Sequence, residues 1–189
     1  LVQTLASNNT ASFLGTPVSA YRYIKRVPIN WRHLTPAIIT AFIGSFCGAL
    51  LVSFIHKEQF MPFILTALIL VLIYTVFKKE LGLHHVDKSL SSIRYYAYAI
   101  GTGVIIGFYD GLIGPGTGSF LIFAFVELFG YNFLNASANA KVINCVTNIS
   151  ALSFFIASGN VQWHLAIPVG IANMAGSYTG SHFALKKGS

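Results

Sequence analysis

Long uncharged stretches dominate the pattern of hydrophobic and polar positions along the chain. Residues 34–55 and 142–163 each run for 22 positions without a charged side chain. At a rise of about 1.5 Å per residue, each stretch is about 33 Å long, enough to cross a hydrocarbon core of about 30 Å. Similar stretches are residues 60–77, 95–109, 119–133 and 165–185, and residues 1–21 resemble the remnant of a further helix. The pattern predicts an all-α, polytopic membrane protein.

The composition excludes several classes of soluble protein. Hydrophobic residues make up 54% of the 189 residues and charged residues only 9%, against roughly 25% charged in soluble proteins. The mean hydropathy is +0.67. Too few charged side chains are present to cover a soluble surface. The composition therefore argues against a soluble enzyme, a disordered chain and a nucleic-acid-binding protein, and it makes the lipid bilayer the expected surrounding.

An internal repeat relates the two halves of the chain. A shift of 132 residues without a gap aligns Trp31 with Trp163, Pro36 with Pro168 and Gly44 with Gly176. The pattern Trp-x4-Pro-x7-Gly-Ser-x2-Gly therefore occurs twice in register. We expect residues 1–94 to form a first repeat, truncated at its N-terminus, and residues 95–189 to form a second, truncated at its C-terminus. The chain is then expected to be a fragment of a longer fold.

The basic residues indicate that the two copies have opposite orientations. The segment after the first remnant helix carries Arg22, Lys25, Arg26 and Arg32, whereas its equivalent, residues 157–164, carries no Lys or Arg. Basic residues favour the cytoplasmic side of a membrane. Loops 25–32 and 78–94 are therefore predicted to be cytoplasmic and loop 157–164 external. Inverted repeats are typical of secondary transporters, which bind substrate at the interface between the repeats.

A glycine-rich break is the sharpest local feature. Five glycines and one proline occur between positions 107 and 118, a density that interrupts a regular helix. Broken backbone at membrane depth is tolerated where protein or a water-filled cavity satisfies its polar groups. A helix that starts after the break directs free N–H groups at an anion. We expect Gly114, Gly116, Thr117 and Gly118 to bind substrate, the alternative being a tight turn between two ordinary helices.

Asp110, just before this break, allows two interpretations. A charge at membrane depth costs about 2.5–3.5 kcal/mol on insertion scales, so such residues usually face an interior or an aqueous path. Asp110 could couple transport to a proton. The alternative is an interfacial cap or loop residue beside the glycines.

A polar stripe in the second copy carries one cation. Ser137, Lys141, Asn144 and Asn148 are spaced by four, three and four residues, which places them on one face of a helix. Lys141, close to the predicted helix start, opposes the helix dipole, and a bound anion would explain its presence. The alternative is a lysine that reaches the cytoplasmic interface. Lys141, Asn144 and Asn148 are predicted to bind substrate, and their first-copy equivalents are Asn9, Ser12 and Thr16.

Other kinds of site find no support in the sequence. The six histidines are scattered or, at His84 and His85, adjacent, which is poor spacing for a metal ion. No nucleophile–base pair is legible, so no enzymatic activity, metal or cofactor is expected.

The motifs together resemble those of the sulfite exporter TauE/SafE family of bacterial membrane permeases. They are Gly-Phe-Tyr-Asp-Gly-Leu-Ile-Gly-Pro-Gly-Thr-Gly-Ser-Phe, Ala-Asn-Ala-Lys-Val-Ile-Asn and Gly-Asn-Val-Gln-Trp. The resemblance covers essentially the whole chain and implies a permease that moves small anions, such as sulfite or organosulfur acids, across the plasma membrane, here the bacterial inner membrane. A non-transporting membrane scaffold subunit and an anion channel are the alternatives.

Overall fold

The computed structural model describes residues 2–55, 62, 65, 66, 69, 72, 73, 88 and 90–187. Six helices are described, and no strand occurs among these residues, so the predicted all-α class is confirmed. The helices are α1 (Val2–Arg26), α2 (Trp31–Val52), α3 (Ser92–Leu112), α4 (Thr117–Phe129), α5 (Phe133–Ala157) and α6 (Trp163–Lys187). Most of the predicted segment 60–77 and most of loop 78–94 lie outside the described residues.

Asparagine caps set the starts of α2 and α5. The side chain of Asn30 accepts a hydrogen bond from the His33 N–H, and that of Asn132 accepts one from the Asn135 N–H at 2.8 Å. Each cap satisfies an N–H group that lacks a partner inside the helix. Helix α5 therefore begins nine residues before the predicted position 142 and ends at Ala157. The prediction that Lys141 lies close to a helix start is wrong, because Lys141 is the ninth residue of α5.

Helices α2 and α3 pack backbone against backbone through small residues. A Cβ atom on Gly48 would lie 2.2 Å from the Phe108 carbonyl oxygen, and one on Gly111 would lie 1.9 Å from that of Ser45. Only glycine allows such an approach. Gly44 and Gly48 therefore serve helix packing, whereas a Cβ on Gly176 or Gly180 would have no described neighbour within 4 Å.

Apolar side chains cover the outside of the described helices. Large hydrophobic residues with at least 40% exposure occur along α2, α3 and α6, at Ile39, Ile43, Leu50, Ile100, Val104, Ile105, Leu165, Ile167, Val169 and Ile171. An exposed apolar surface of this extent suits lipid better than water. Two described helices, Trp31–Val52 and Phe133–Ala157, are also long and apolar enough to cross a membrane.

The helix contacts enclose a polar interior. Helix α1 packs against α5 and α6, and α2 packs against α3 and α5. Ser45 donates a hydrogen bond to the Thr147 carbonyl oxygen at 2.9 Å, and Ser150 donates one to that of Phe42 at 2.6 Å. Helix α4 packs against α5 through Phe125, Phe129 and Ile143, which are almost fully buried. These contacts place the N-terminus of α4 beside the middle of α5.

Candidate functional site

A polar cavity of about 420 Å³ lies between α1, α5 and the turn that joins α3 to α4. The structure brings together in its wall every residue that the sequence singles out for substrate binding or coupling. They are Asp110, Gly114, Gly116, Thr117, Gly118, Lys141, Asn144 and Asn148. These residues come from separate segments, so the cavity exists only because α4 and α5 pack side by side.

The turn between α3 and α4 depends on two glycines with left-handed backbone. Gly114 has φ +84° and Gly116 has φ +88°, and Gly116 is the N-cap residue of α4. A side chain is strongly disfavoured in this region, so both positions require glycine. The Tyr109 hydroxyl holds the turn by donating a hydrogen bond to the Pro115 carbonyl oxygen at 2.7 Å.

The first turn of α4 leaves backbone donors available to the cavity. The Ser119 and Phe120 N–H groups both bond to the Gly116 carbonyl oxygen, at 3.0 and 3.2 Å. Within the described part of the chain, the N–H groups of Gly116 and Gly118 have no backbone acceptor. Unpaired N–H groups at a helix N-terminus, together with the helix dipole, attract negative charge.

Gly118 lies against Asn144 of α5. A Cβ atom on Gly118 would lie 3.2 Å from the Asn144 Nδ2 atom, so the absence of a side chain leaves room for the amide. The Asn144 Oδ1 atom is buried and has no hydrogen-bond partner among the described residues. Buried polar atoms are normally satisfied by protein, water or ligand. Asn144 therefore has unused hydrogen-bonding capacity at the cavity wall.

Asp110 is buried inside α3. Only 4% of its surface is exposed, and it lies two residues before the end of the helix. Asp110 is therefore neither a helix cap nor a loop residue, because the helix continues past it to Leu112. The side chains of Thr117 and Thr147 lie beside the carboxyl group, while its Oδ2 atom has no partner among the described residues.

Lys141 supplies the cavity with a cation. Its side chain is partly buried, and no described residue forms a hydrogen bond or ion pair with its ammonium group. Asp110 and Lys141 line the same cavity but are not paired with each other. A cation held away from bulk water without a counter-charge is costly. The ammonium group is thus available to an anion in the cavity.

The opposite wall comes from α1. Asn9, Ser12 and Thr16 of α1, the equivalents of Lys141, Asn144 and Asn148, line the same cavity. Asn148 Nδ2 donates a hydrogen bond to Thr16 Oγ1 at 3.3 Å. The polar stripes of α1 and α5 therefore face each other across the cavity, and only one of them carries a charge.

Some cavity residues were not predicted. Asn8 and Ser119 also line the wall. Asn8 precedes the first-copy stripe and Ser119 follows the glycine turn, so extending each motif by one residue would have found them. Among the described residues, no three His, Cys, Asp or Glu side chains come close enough to form a metal site.

Known proteins resemble this chain over its whole length. It matches the family described as Sulfite exporter TauE/SafE over residues 1–189. It is 31% identical to "Probable membrane transporter protein ORF9" of Sinorhizobium sp, with 100% of the chain and 71% of the relative aligned. It is 30% identical to "Probable membrane transporter protein YfcA" of Escherichia coli K12, covering 97% of the chain and 67% of the relative.

A third relative agrees with these two. The chain is 32% identical to a "Probable membrane transporter protein" of Haemophilus influenzae, covering 96% of the chain and 69% of the relative. No solved structure matches the chain significantly. With an all-helical fold and an apolar outer surface, these matches identify a membrane transporter protein. The chain belongs to the sulfite exporter TauE/SafE family.

Proposed function

We propose that the chain forms the substrate-binding part of a secondary transporter for a small anion. The observation that supports this most strongly is the Lys141 ammonium group, which faces a polar cavity and has no described partner. A charge-assisted hydrogen bond contributes about 1.5–3 kcal/mol. An anion in the cavity gains this interaction and removes the cost of an unpaired cation.

The N-terminus of α4 supplies a second set of donors. The N–H groups of Gly116 and Gly118, which have no backbone acceptor among the described residues, come from the cavity wall that also contains Lys141. An oxyanion with several acceptor oxygens is then bound by backbone donors and by one ammonium group. Sulfite or a small organosulfur acid fits this description. A water molecule occupies about 30 Å³ of liquid, so about 420 Å³ accommodates such an anion with part of its hydration shell.

Asp110 is the proposed coupling residue. A carboxylate in the wall of an anion site repels the substrate, whereas the protonated acid does not. Binding of the anion and of a proton to the same cavity would therefore favour each other. This role follows from the burial of Asp110, its unpaired Oδ2 atom and its position in the cavity wall.

The proposed architecture is two inverted repeats in the bacterial inner membrane. Helices α2 and α6 both begin at the tryptophan of the repeated pattern and both contain its proline, Pro36 in one and Pro168 in the other. Helices α1 and α5 correspond under the same shift to within one residue at each end. A two-fold axis that exchanges α1 with α5 and α2 with α6 would turn the α1–α6 contact into an α5–α2 contact. Both contacts are present.

Transport assays test the proposal. Full-length protein in vesicles is supplied with labelled sulfite, sulfoacetate or taurine, with and without an imposed ion gradient. A secondary transporter gives saturable uptake that a gradient drives above equilibrium. A channel gives flux without accumulation, and a scaffold subunit gives no flux with any of the three.

A further inference from the structure

A second polar cavity adjoins the proposed site on the other side of Lys141. It has a volume of about 330 Å³ and lies between α1, α5 and α6. Its polar lining consists of Ser19, Tyr23, Lys141, Asn173, Ser177 and Ser181. Lys141 is the residue that both cavities share. The ammonium group therefore sits at the boundary between two polar spaces.

The two cavities follow one another along the helices. On α1 the first cavity is lined by residues between Asn8 and Thr16, and the second by Ser19 and Tyr23. Helix α5 runs the opposite way, with Asn144 and Asn148 in the first cavity and Lys141 between the two. The second cavity thus lies nearer to the end of α1 that carries Lys25 and Arg26, the predicted cytoplasmic end.

Polar side chains around the second cavity mostly form hydrogen bonds within the protein. Ser19 donates to the Thr16 carbonyl oxygen at 2.9 Å, and Ser181 donates to that of Tyr178 at 3.0 Å. Asn173 donates to the Ala11 carbonyl oxygen at 3.2 Å. These bonds fix the wall in place and leave Lys141 as its free cation among the described residues.

A second cation lies next to this cavity. Arg22, the chain neighbour of Tyr23, donates a hydrogen bond to His182 Nδ1 at 3.0 Å and stacks over the Tyr178 ring at 4.2 Å. Its Nε atom is buried without a partner among the described residues. Together, Arg22 and Lys141 make this end of the α1–α6 interface favourable for negative charge.

We infer that the second cavity is a cytoplasmic anion subsite and that Lys141 passes the substrate between the two cavities. The inference rests on the proposed function, since it assumes that the cargo is an anion. The ammonium group at the boundary can bind an anion in either cavity. It binds a second anion more weakly once the first is in place. The substrate therefore keeps a charge partner while it crosses from one cavity to the other.

Charged thiol reagents test this inference at each cavity separately. In full-length protein with Cys47 and Cys145 replaced by serine, single cysteines are placed by Ser12→Cys in the first cavity and Ser177→Cys in the second. Each single-cysteine variant is treated separately with an anionic and a cationic methanethiosulfonate. The ratio of the anionic to the cationic reaction rate is divided by the same ratio for a free thiol in solution. We expect both cysteines to react preferentially with the anionic reagent. Lys141→Gln should lower this preference about tenfold, which corresponds to about 1.4 kcal/mol. At Lys186→Cys, an exposed position outside both cavities, Lys141→Gln should change nothing.

The outcomes separate the two proposals. If Ser12→Cys shows the Lys141-dependent preference and Ser177→Cys does not, the second subsite is refuted and the proposed function stands. If neither position shows it, the anion site itself is refuted.

A steric variant gives an independent measurement. Ser177→Leu fills the second cavity, whereas Thr179→Leu, on the same helix but outside both cavities, is its matched control. We expect Ser177→Leu to retain binding of labelled sulfite and to lose at least tenfold in flux per folded molecule, with Thr179→Leu near the parent. Equal flux in the two variants would overturn the inference.

Discussion

Asn148 donates a hydrogen bond to Thr16 across the cavity, and the two residues are 132 positions apart, the shift that relates the two copies of the repeat. Each is thus bonded to its own equivalent. In two copies related by a two-fold axis, residues meet their own equivalents only close to that axis. This contact supports the proposed two-fold axis through the cavity. A substrate bound on such an axis would contact both proposed repeats.

Lys141→Gln should weaken anion binding about 10- to 150-fold. The variant loses one charge-assisted contact, which corresponds to about 1.5–3 kcal/mol. The measurement is the affinity for labelled sulfite in vesicles. Lys25→Gln is the matched control, because Lys25 is exposed at the end of α1 and lies over the Tyr21 ring instead of lining the cavity. Equal affinities in the two variants would show that Lys141 only places the helix at the interface.

Gly116→Ala should reduce transport more than Pro115→Ala. Gly116 has φ +88°, and its N–H group has no backbone acceptor in the described part of the chain, so a Cβ atom strains the turn and moves a donor. Pro115 has no N–H group, and its carbonyl oxygen can still accept from Tyr109 in the alanine variant. The readout is flux per correctly folded molecule. A structural turn without a binding role would lower folded yield in both variants and leave the flux of the surviving molecules unchanged.

Asp110→Asn should separate binding from coupling. The amide has almost the same shape as the acid and stays neutral, so anion binding is retained while proton-driven accumulation is lost. Sulfoacetate is a suitable probe, because its charge does not change near neutral pH. Uptake is compared with and without a pH gradient. Gradient-driven accumulation by Asp110→Asn would exclude this residue as the coupling site.

Single cysteines at the helix ends test the orientation of the repeats. In a chain with Cys47 and Cys145 replaced by serine, Lys25→Cys should react only with reagent on the cytoplasmic side and Ser158→Cys only with reagent outside. Lys25 lies in the last turn of α1, and Ser158 is the C-cap of α5. Labelling of both positions from the same side in intact cells would rule out inverted copies.

The glycines of α3 should differ sharply in their tolerance of alanine. Gly111→Ala drives a Cβ atom into the Ser45 carbonyl oxygen, whereas a Cβ on Gly101 meets no described atom within 4 Å. Overpacking costs about 1–3 kcal/mol or more, while alanine at an open helical position contributes about 0.5–1 kcal/mol. Thermal unfolding in detergent should therefore show a lower midpoint for Gly111→Ala than for Gly101→Ala. Equal midpoints would contradict the packing described for α2 and α3.

The wall of the first cavity was accessible from the sequence because each of its motifs carries a local signal. Gly114 and Gly116 interrupt a helix, and the spacing of Lys141, Asn144 and Asn148 defines a helix face without any knowledge of tertiary contacts. The start of α5 does not follow from hydropathy, because the uncharged stretch begins after Lys141, whereas the helix begins at the Asn132 cap. Capping is decided by a single side chain, which hydropathy does not detect.

The second cavity was not visible in the sequence for a different reason. Ser177 and its equivalent Ser45 have the same local sequence pattern, yet Ser45 donates a hydrogen bond to the Thr147 carbonyl oxygen of another helix. Ser177 lines the second cavity and, among the described residues, donates only within its own helix, to Asn173 Oδ1 at 3.5 Å. Which member of such a pair is covered depends on the packing of α1 against α6. Nothing in the local pattern of either helix fixes that arrangement.

The close approach of α2 and α3 limits how the protein can change shape. With Gly103, Gly107 and Gly111 in contact with the opposite backbone, neither helix can slide along the other without steric overlap. We therefore expect the pair to move as one rigid body when the molecule changes shape. Motion is left to surfaces that carry few direct bonds. The contact of α1 with α5 is such a surface, because its side-chain hydrogen bonds among the described residues are those of Asn148 with Thr16 and of Tyr23 with Ser137. The glycines of one interface thus determine where the molecule can bend.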